Sequence, residues 1–253
     1  MMASEVAWDY DAGFGRRFLS DQTGSDQLGL NLLALESATG HSSAALWLED
    51  RVSVRRSADQ PHSETLLPLV QALLEESALP PTALDAVAFG AGPGAFTGLR
   101  LACGVAQGLA LGLGIPVLPV STLMALAQAA AQPRVLTLLD ARMGQVYCAA
   151  YERDGDHWAT RIEPCLCDPE ALPPLPPGLW LPVGSGAEML EGRLDEAWPE
   201  RLLPVQAGLV PDAAHIAALA VQDFARGRAL PPEAASPVYL RDKVALTRAE
   251  RSA

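Results

Sequence analysis

The sequence contains few positive charges for its length. Among 253 residues there are 18 Lys and Arg against 30 Asp and Glu, so the formal net charge is −12. A protein that binds nucleic acid alone needs a basic surface to displace counterions from the phosphates. This composition argues against RNA or DNA binding by this chain alone, and any role on RNA must be shared with a partner.

Cysteine and histidine are also scarce, with four of each. The cysteine spacings fit neither a zinc site nor a compact disulfide framework, which predicts reduced thiols in a cytoplasmic protein. These cysteines are Cys103, Cys148, Cys165 and Cys167. No histidine has a second imidazole three to five residues away, so no metal centre is predicted. These histidines are His41, His62, His157 and His215.

Residues 101–133 contain no charged side chain and no histidine. The run is long enough to raise the question of a membrane span. However, seven of its residues are Gly or Pro, which divide it into a helix, a strand at 115–120 and a second helix. A buried core is therefore predicted, with no membrane contact. Residues 1–29 lack the pattern of a signal peptide and are predicted to form a loosely ordered extension.

Hydrophobic patterning predicts an α/β fold built twice. Strands are predicted at 31–36, 42–48, 52–57, 86–89 and 115–120, and again at 135–140, 145–152, 158–163 and 179–183. Helices are predicted at 63–77, after residue 96, after residue 121 and at 212–226. Both halves start with three successive strands, which indicates a duplicated fold. The predicted domains are an extension at 1–29, a first lobe at 30–133, a second lobe at 134–210, and a helix and tail at 211–253 that return towards the first lobe.

A glycine-rich run, GAGPGAFTGLR, joins a strand to a helix at residues 90–100. It is not a Walker loop, because Leu99 and Arg100 follow its last glycine where Lys and Ser or Thr are required. The spacing of a dinucleotide-binding fingerprint is present, but Pro93 interrupts it and the next acidic residue is Asp140. Neither phosphate-binding motif is therefore predicted here.

The following helix carries small residues at every fourth position. One set consists of Gly104, Gly108 and Gly112, and the other of Gly98, Ala102, Ala106 and Ala110. Residues four apart share a helix face, so another helix can approach this backbone closely. The partner helix could belong to the same lobe or to another subunit, and composition leaves both interpretations open.

Five segments together resemble the bacterial TsaB family, also called YeaZ, a subunit of the machinery that makes threonylcarbamoyladenosine on tRNA. They lie at 30–47, 62–70, 90–123, 138–151 and 237–245. The block at 90–123 and the sequence DARMG that starts at Asp140 are its most specific parts. The resemblance implies an α/β fold of the actin-like ATPase type. In such a fold an RNase H-like unit is duplicated to give two lobes.

In that superfamily, carboxylates on the first strand of each lobe place a metal-bound nucleotide. The resemblance implies a vestigial nucleotide site at Glu36, Gly92, Gly94, Asp140, Arg142, Gly184 and Gly186. The family usually has Asp where Glu36 stands, and the longer side chain moves its oxygens by about 1.5 Å, which disfavours a magnesium site. No metal and no required cofactor are predicted, while weak nucleotide binding is left open.

The resemblance further implies a noncatalytic subunit that activates the catalytic paralogue, TsaD. The predicted partner interface consists of His62, Leu66, Leu69, Phe96, Thr97, Arg100, Leu101, Gly104 and Gly108. The isolated chain is predicted to form a homodimer, while the ATPase TsaE and tRNA are reached only through the complex. His62 is expected to orient the helix that follows it, and Ser121 and Thr122 to cap a helix.

Two alternatives have catalytic activity. One is a stand-alone actin-like ATPase that uses Glu36 and Asp140. The other, weaker one is a protease, but the sequence shows no base beside a serine or cysteine nucleophile and no oxyanion pocket.

Overall fold

The computed structural model describes residues 29–58, 60–130 and 132–241. The extension predicted at 1–29 lies outside the described residues except for Gly29. The end of the predicted tail, from residue 242, also lies outside them.

The first lobe is built on a five-stranded sheet in the order β3-β2-β1-β4-β5. Its strands are β1 (Leu32–Glu36), β2 (His41–Leu48), β3 (Arg51–Ala58), β4 (Ala86–Gly92) and β5 (Val117–Ser121). β1 pairs with β2 in antiparallel and with β4 in parallel orientation. Every residue of β1 and β4 is buried, as expected for central strands that are covered on both faces.

The second lobe is built on a four-stranded sheet in the order β8-β7-β6-β9. Its strands are β6 (Arg134–Arg142), β7 (Gln145–Asp154), β8 (His157–Cys167) and β9 (Leu181–Val183). β6 pairs with β7 in antiparallel and with β9 in parallel orientation, which repeats the pairing of β1 with β2 and β4. The predicted duplication is therefore present. β8 is longer than predicted, and β9 is shorter.

Six helices connect or cover the sheets in the described part of the chain. They are α1 (His62–Glu76), α2 (Phe96–Leu113), α3 (Thr122–Ala129), α4 (Ser185–Met189), α5 (Glu191–Ala197) and α6 (Ala213–Ala225). α2 is long and apolar enough to cross a membrane by length and composition alone, and one third of it is buried within the protein. The core helices of folded proteins commonly have this length and composition.

The side chains of each central strand alternate between two cores. Leu33 and Leu35 point to the core that α1 and α2 cover, whereas Leu32 and Ala34 point to a core shared with the second sheet. Helices α3 and α6 contribute to this shared core. A third core lies on the far face of the second sheet, around Trp180.

Helix α6 packs on the first sheet although it follows the second sheet in sequence. Its N-cap, Asp212, is buried and forms an ion pair with Arg56 of β3 at 2.6 Å. The first amide of α6, at Ala213, donates to the Ser43 hydroxyl of β2 at 2.9 Å. These contacts hold α6 against β2 and β3 of the first lobe.

Candidate functional site

One stripe of small residues on α2 is buried against the first sheet. It consists of Gly98, Ala102, Ala106 and Ala110. At Gly98 a Cβ atom would lie 1.8 Å from the carbonyl oxygen of Ser37. The Ser37 hydroxyl in turn donates to the Gly98 carbonyl at 2.9 Å. Glycine is required at this position because the two backbones touch.

The second stripe, Gly104, Gly108 and Gly112, faces outwards. All three glycines are exposed, and a Cβ atom on any of them would meet no other atom within 4 Å. Packing within the lobe therefore accounts for the stripe that starts at Gly98. Such packing does not account for the stripe that starts at Gly104, because none of the residues that the structure describes covers these glycines.

A shallow apolar groove of about 400 Å³ runs along this exposed stripe, between α2 and α1. Leu67 of α1, on its other side, is 52% exposed. Arg100 is the only charged residue that lines the groove, whose walls are Leu67, Arg100, Leu101, Gly104, Val105, Gly108 and Leu109. Exposed apolar surface of this kind, with one charged residue in its lining, is typical of protein–protein contacts.

Four of the nine predicted interface residues line this groove, namely Arg100, Leu101, Gly104 and Gly108. Thr97, Arg100, Gly104 and Gly108 are exposed, and the partly exposed ones are His62, Leu69, Phe96 and Leu101. The prediction for Leu66 is wrong. Leu66 is only 1% exposed because it points from α1 into the core of the first lobe, where a partner cannot reach it.

His62 is the first residue of α1, and its Nδ1 lies 2.6 Å from the Ser42 hydroxyl of β2. No pattern in the sequence indicated a base beside a serine, yet the structure places this imidazole next to one. Ser42 is nevertheless only 1% exposed, and its hydroxyl also accepts a hydrogen bond from Thr65 at 3.2 Å. The pair ties the start of α1 to the sheet, and the hydroxyl is closed to solvent.

Glu36, at the end of β1, is a buried carboxylate that is bound by its own chain. One oxygen accepts from the Ala38 amide at 2.5 Å and the other from the Thr122 hydroxyl at 3.3 Å. A Cβ atom at Gly90 would lie 2.0 Å from this carboxylate. Burial raises the pKa of Glu36 to about 7, although these hydrogen bonds act in the opposite direction.

The other predicted nucleotide-site residues form two groups. Near Glu36, the Gly92 amide donates to Thr122, and a Cβ atom at Gly94 would lie 2.5 Å from the Ala38 carbonyl oxygen. Thr122 thus binds Glu36 and Gly92, whereas Ser121 alone caps α3 through the Met124 amide.

The second group surrounds the end of β6. Asp140 accepts from the Arg142 amide at 2.7 Å and from its guanidinium at 3.2 Å. Cβ atoms at Gly184 and Gly186 would lie 2.4 and 2.9 Å from the backbone of Leu138, so these glycines allow α4 to approach β6.

These contacts do not fit a magnesium-nucleotide site. Backbone atoms of the same chain fill the space beside Gly92, Gly94, Gly184 and Gly186. Both carboxylate oxygens of Glu36 already accept hydrogen bonds from the chain. Within residues 29–58, 60–130 and 132–241, no cluster of three or more His, Cys, Asp or Glu side chains could hold a metal ion.

Replacing Glu36 with Gln is expected to flatten the pH dependence of stability. The folded-state pKa of about 7 lies above the ordinary value of 4.5. Between these values the folded chain binds the extra proton, so the free energy of unfolding falls as the pH rises, by at most about 1.4 kcal/mol per pH unit. Urea unfolding at about pH 5 and about pH 8 measures the slope. Glu64→Gln, at an exposed position on α1, is the control. Equal slopes of unfolding free energy against pH in E36Q and the unmodified chain would contradict the expectation.

Comparison with known proteins agrees with this architecture. The family model described as TsaD, tRNA N6-adenosine threonylcarbamoyltransferase, matches residues 54–195, more than half of the chain. The tRNA threonylcarbamoyladenosine biosynthesis protein TsaB of Escherichia coli (strain K12) is 38% identical over 235 residues, which cover 85% of this chain and 96% of that protein.

Two solved structures from Pseudomonas aeruginosa are also similar. YeaZ has a TM-score of 0.76 and 39% identity, with 83% of this chain and 100% of that chain covered. An uncharacterized protein described as similar to the peptidase YeaZ has a TM-score of 0.78 and 37% identity, covering 84% of this chain and 100% of that chain. These findings confirm the predicted actin-like α/β fold. The chain belongs to the TsaB family, also called YeaZ, of tRNA threonylcarbamoyladenosine biosynthesis proteins.

Proposed function

We propose that this protein is a noncatalytic subunit that binds and activates the catalytic paralogue, TsaD, during threonylcarbamoyladenosine synthesis on tRNA. The contact is made by the docking face, defined here as the exposed side of α1 and α2 with Leu67, Arg100, Leu101, Gly104 and Gly108. The observation that carries the proposal is the exposed glycine stripe along an apolar groove.

The energetic cost of that stripe supports a docking role. Each glycine inside a helix costs about 1 kcal/mol relative to alanine. Gly98 offsets this cost through its contact with Ser37, but Gly104 and Gly108 have no such contact in the described part of the chain. A second helix that packs closely on their bare backbone would supply the compensation.

The role as a noncatalytic subunit is supported by two buried groups. The Glu36 carboxylate is engaged by Ala38 and Thr122, and the Ser42 hydroxyl is closed to solvent. We therefore propose that the chain requires no cofactor of its own. Its four cysteines are free, as is usual in a reducing compartment, and we propose that it works in the cytoplasm. With a net charge of −12, it reaches tRNA only through the assembly that it forms with TsaD and the ATPase TsaE.

The same docking face serves a homodimer in the absence of TsaD. Two copies that pair through one shared patch form a closed, symmetric dimer. Because the face is shared, TsaD and a second copy compete for it, and excess TsaD converts the homodimer to the heterodimer.

The test is the mass of the full chain in solution, alone and with TsaD, in the presence and absence of magnesium-ATP. We expect a homodimer that exchanges into a heterodimer, with no nucleotide bound to the isolated chain. A monomer that hydrolyses ATP and ignores TsaD would instead indicate the stand-alone ATPase. Labelling of a serine or cysteine by a trapping reagent, with loss of peptide cleavage, would indicate a protease.

A further inference from the structure

The C-terminal segment Ser236–Arg241 crosses from the first lobe to the second. The Val238 amide donates to the carbonyl oxygen of Ala91, in β4, at 2.7 Å. The Arg241 guanidinium donates to the carbonyl oxygen of Ala141, in β6, at 3.1 Å. The segment is therefore attached to both sheets, and Tyr239 lies between the two attachments.

Tyr239 completes an aromatic clamp around Arg100 at the start of α2. The guanidinium carbon of Arg100 lies 3.7 Å from the ring centroid of Phe96 and 5.7 Å from that of Tyr239. The centroids of the Phe96 and Tyr239 rings are 5.5 Å apart. The Nε of Arg100 donates to the Tyr239 hydroxyl at 2.9 Å. Two rings and one hydrogen bond thus restrict an arginine side chain that would otherwise rotate freely.

The clamp leaves the outer edge of the guanidinium available. Only Nε is bound to Tyr239, and no carboxylate among the described residues forms an ion pair with Arg100. The remaining N–H groups form a planar fork that matches a carboxylate. Since Arg100 is already held in place, binding a carboxylate costs little additional side-chain entropy.

The position of Arg100 indicates what it faces. It is exposed and is the one charged residue lining the otherwise apolar groove beside Gly104 and Gly108. A partner that fills this groove must offer small apolar contacts and, at the Arg100 end, a negative group. The apolar walls and the acidic charge of the chain favour a protein carboxylate over a nucleic-acid phosphate.

We propose that Arg100 recognises an Asp or Glu carboxylate of TsaD, and that Tyr239 is a positioning residue that holds Arg100 for this contact. This inference rests on the proposed function and deepens it, because it extends the docking face to the C-terminal segment. Arg241 fixes that segment to the second lobe, so the residue that positions Arg100 is anchored to both lobes.

The test is the affinity of the full chain for TsaD, measured by calorimetry. We expect Arg100→Ala to weaken binding about tenfold or more, as for loss of a charge-assisted hydrogen bond. Arg100→Lys should recover little of this loss because it lacks the planar fork. Tyr239→Phe, which keeps the ring and removes the hydroxyl, should weaken binding about threefold.

The double variant separates positioning from a direct contact. If Tyr239 acts through Arg100, Tyr239→Phe has no further effect in the Arg100→Ala background. Additive losses would overturn the positioning role. Arg161→Ala, on the edge strand β8, is the control for loss of an exposed arginine, and unchanged unfolding midpoints exclude a folding defect.

The remaining outcomes distinguish the two proposals. If Gly104→Arg abolishes TsaD binding while Arg100→Ala binds normally, the docking face stands and the role of Arg100 is wrong. If neither Gly104→Arg nor Arg100→Ala changes binding, both the docking face and the role of Arg100 are wrong. Both are also wrong if the unmodified chain does not bind TsaD. Binding of tRNA by the isolated chain that is lost in Arg100→Ala would show that the arginine contacts phosphate instead.

Discussion

Replacing Gly104 with arginine is expected to abolish both self-association and TsaD binding while the chain still folds. A Cβ atom at Gly104 meets nothing within 4 Å, so the larger side chain extends into solvent in the free chain. At an interface it would separate the two helix backbones and bury a charge without a partner, which weakens association by about 100-fold or more. Mass measurement in solution, with TsaD and without it, checks this result.

Gly192→Arg provides a matched control for this experiment. Gly192 is also an exposed helical glycine with nothing within 4 Å of its Cβ position, but it lies on α5 of the second lobe. The same chemical change there should leave association intact. A Gly104→Arg chain that still dimerises and binds TsaD like the Gly192→Arg chain would mean that the interface lies elsewhere.

The largest effect on stability is expected for Gly98→Ala. The added methyl carbon would lie 1.8 Å from the Ser37 carbonyl oxygen, and backbone on both sides leaves no flexible side chain to move away. Shifting α2 off the sheet would disrupt the core of the first lobe, at a cost of about 3 kcal/mol or more. Urea unfolding monitored by circular dichroism measures this loss.

Gly104→Ala, the same substitution farther along the same helix, should have the opposite sign. It adds a methyl group in open space and removes the flexibility of glycine, which stabilises the helix by about 0.5–1 kcal/mol. Similar unfolding free energies for the two alanine variants would show that the contact between Gly98 and Ser37 is not rigid.

The contrast between these glycines marks the limit of sequence analysis for this chain. Spacing alone identified both small-residue stripes on α2, because residues four apart share a helix face. It could not decide which stripe faces the sheet, since Gly and Ala suit close packing on either side. The decision depends on where β1 and its following residue Ser37 lie, which is a tertiary property.

The same limit applies to the candidate site. Most strands and helices followed from hydrophobic alternation and helical periodicity within one or two residues. In contrast, Ser42 and His62 come together because β2 and the start of α1 are neighbours in space. Leu66 was assigned to the interface from its position in a motif, whereas its orientation on α1 directs it into the core. The motif containing Tyr239 was recognised, but its contact with Arg100 spans most of the chain and leaves no local pattern.

The packing of α6 on the first sheet affects the order in which the chain can fold during synthesis. The first lobe is nearly complete in sequence by residue 130, yet its inner face is covered only in part, by α3, until Ala213–Ala225 has left the ribosome. The whole second sheet is made in the meantime. Loop closure over such a separation is slow relative to local folding. The nascent first lobe is therefore expected to expose part of its apolar inner face while the second sheet is translated.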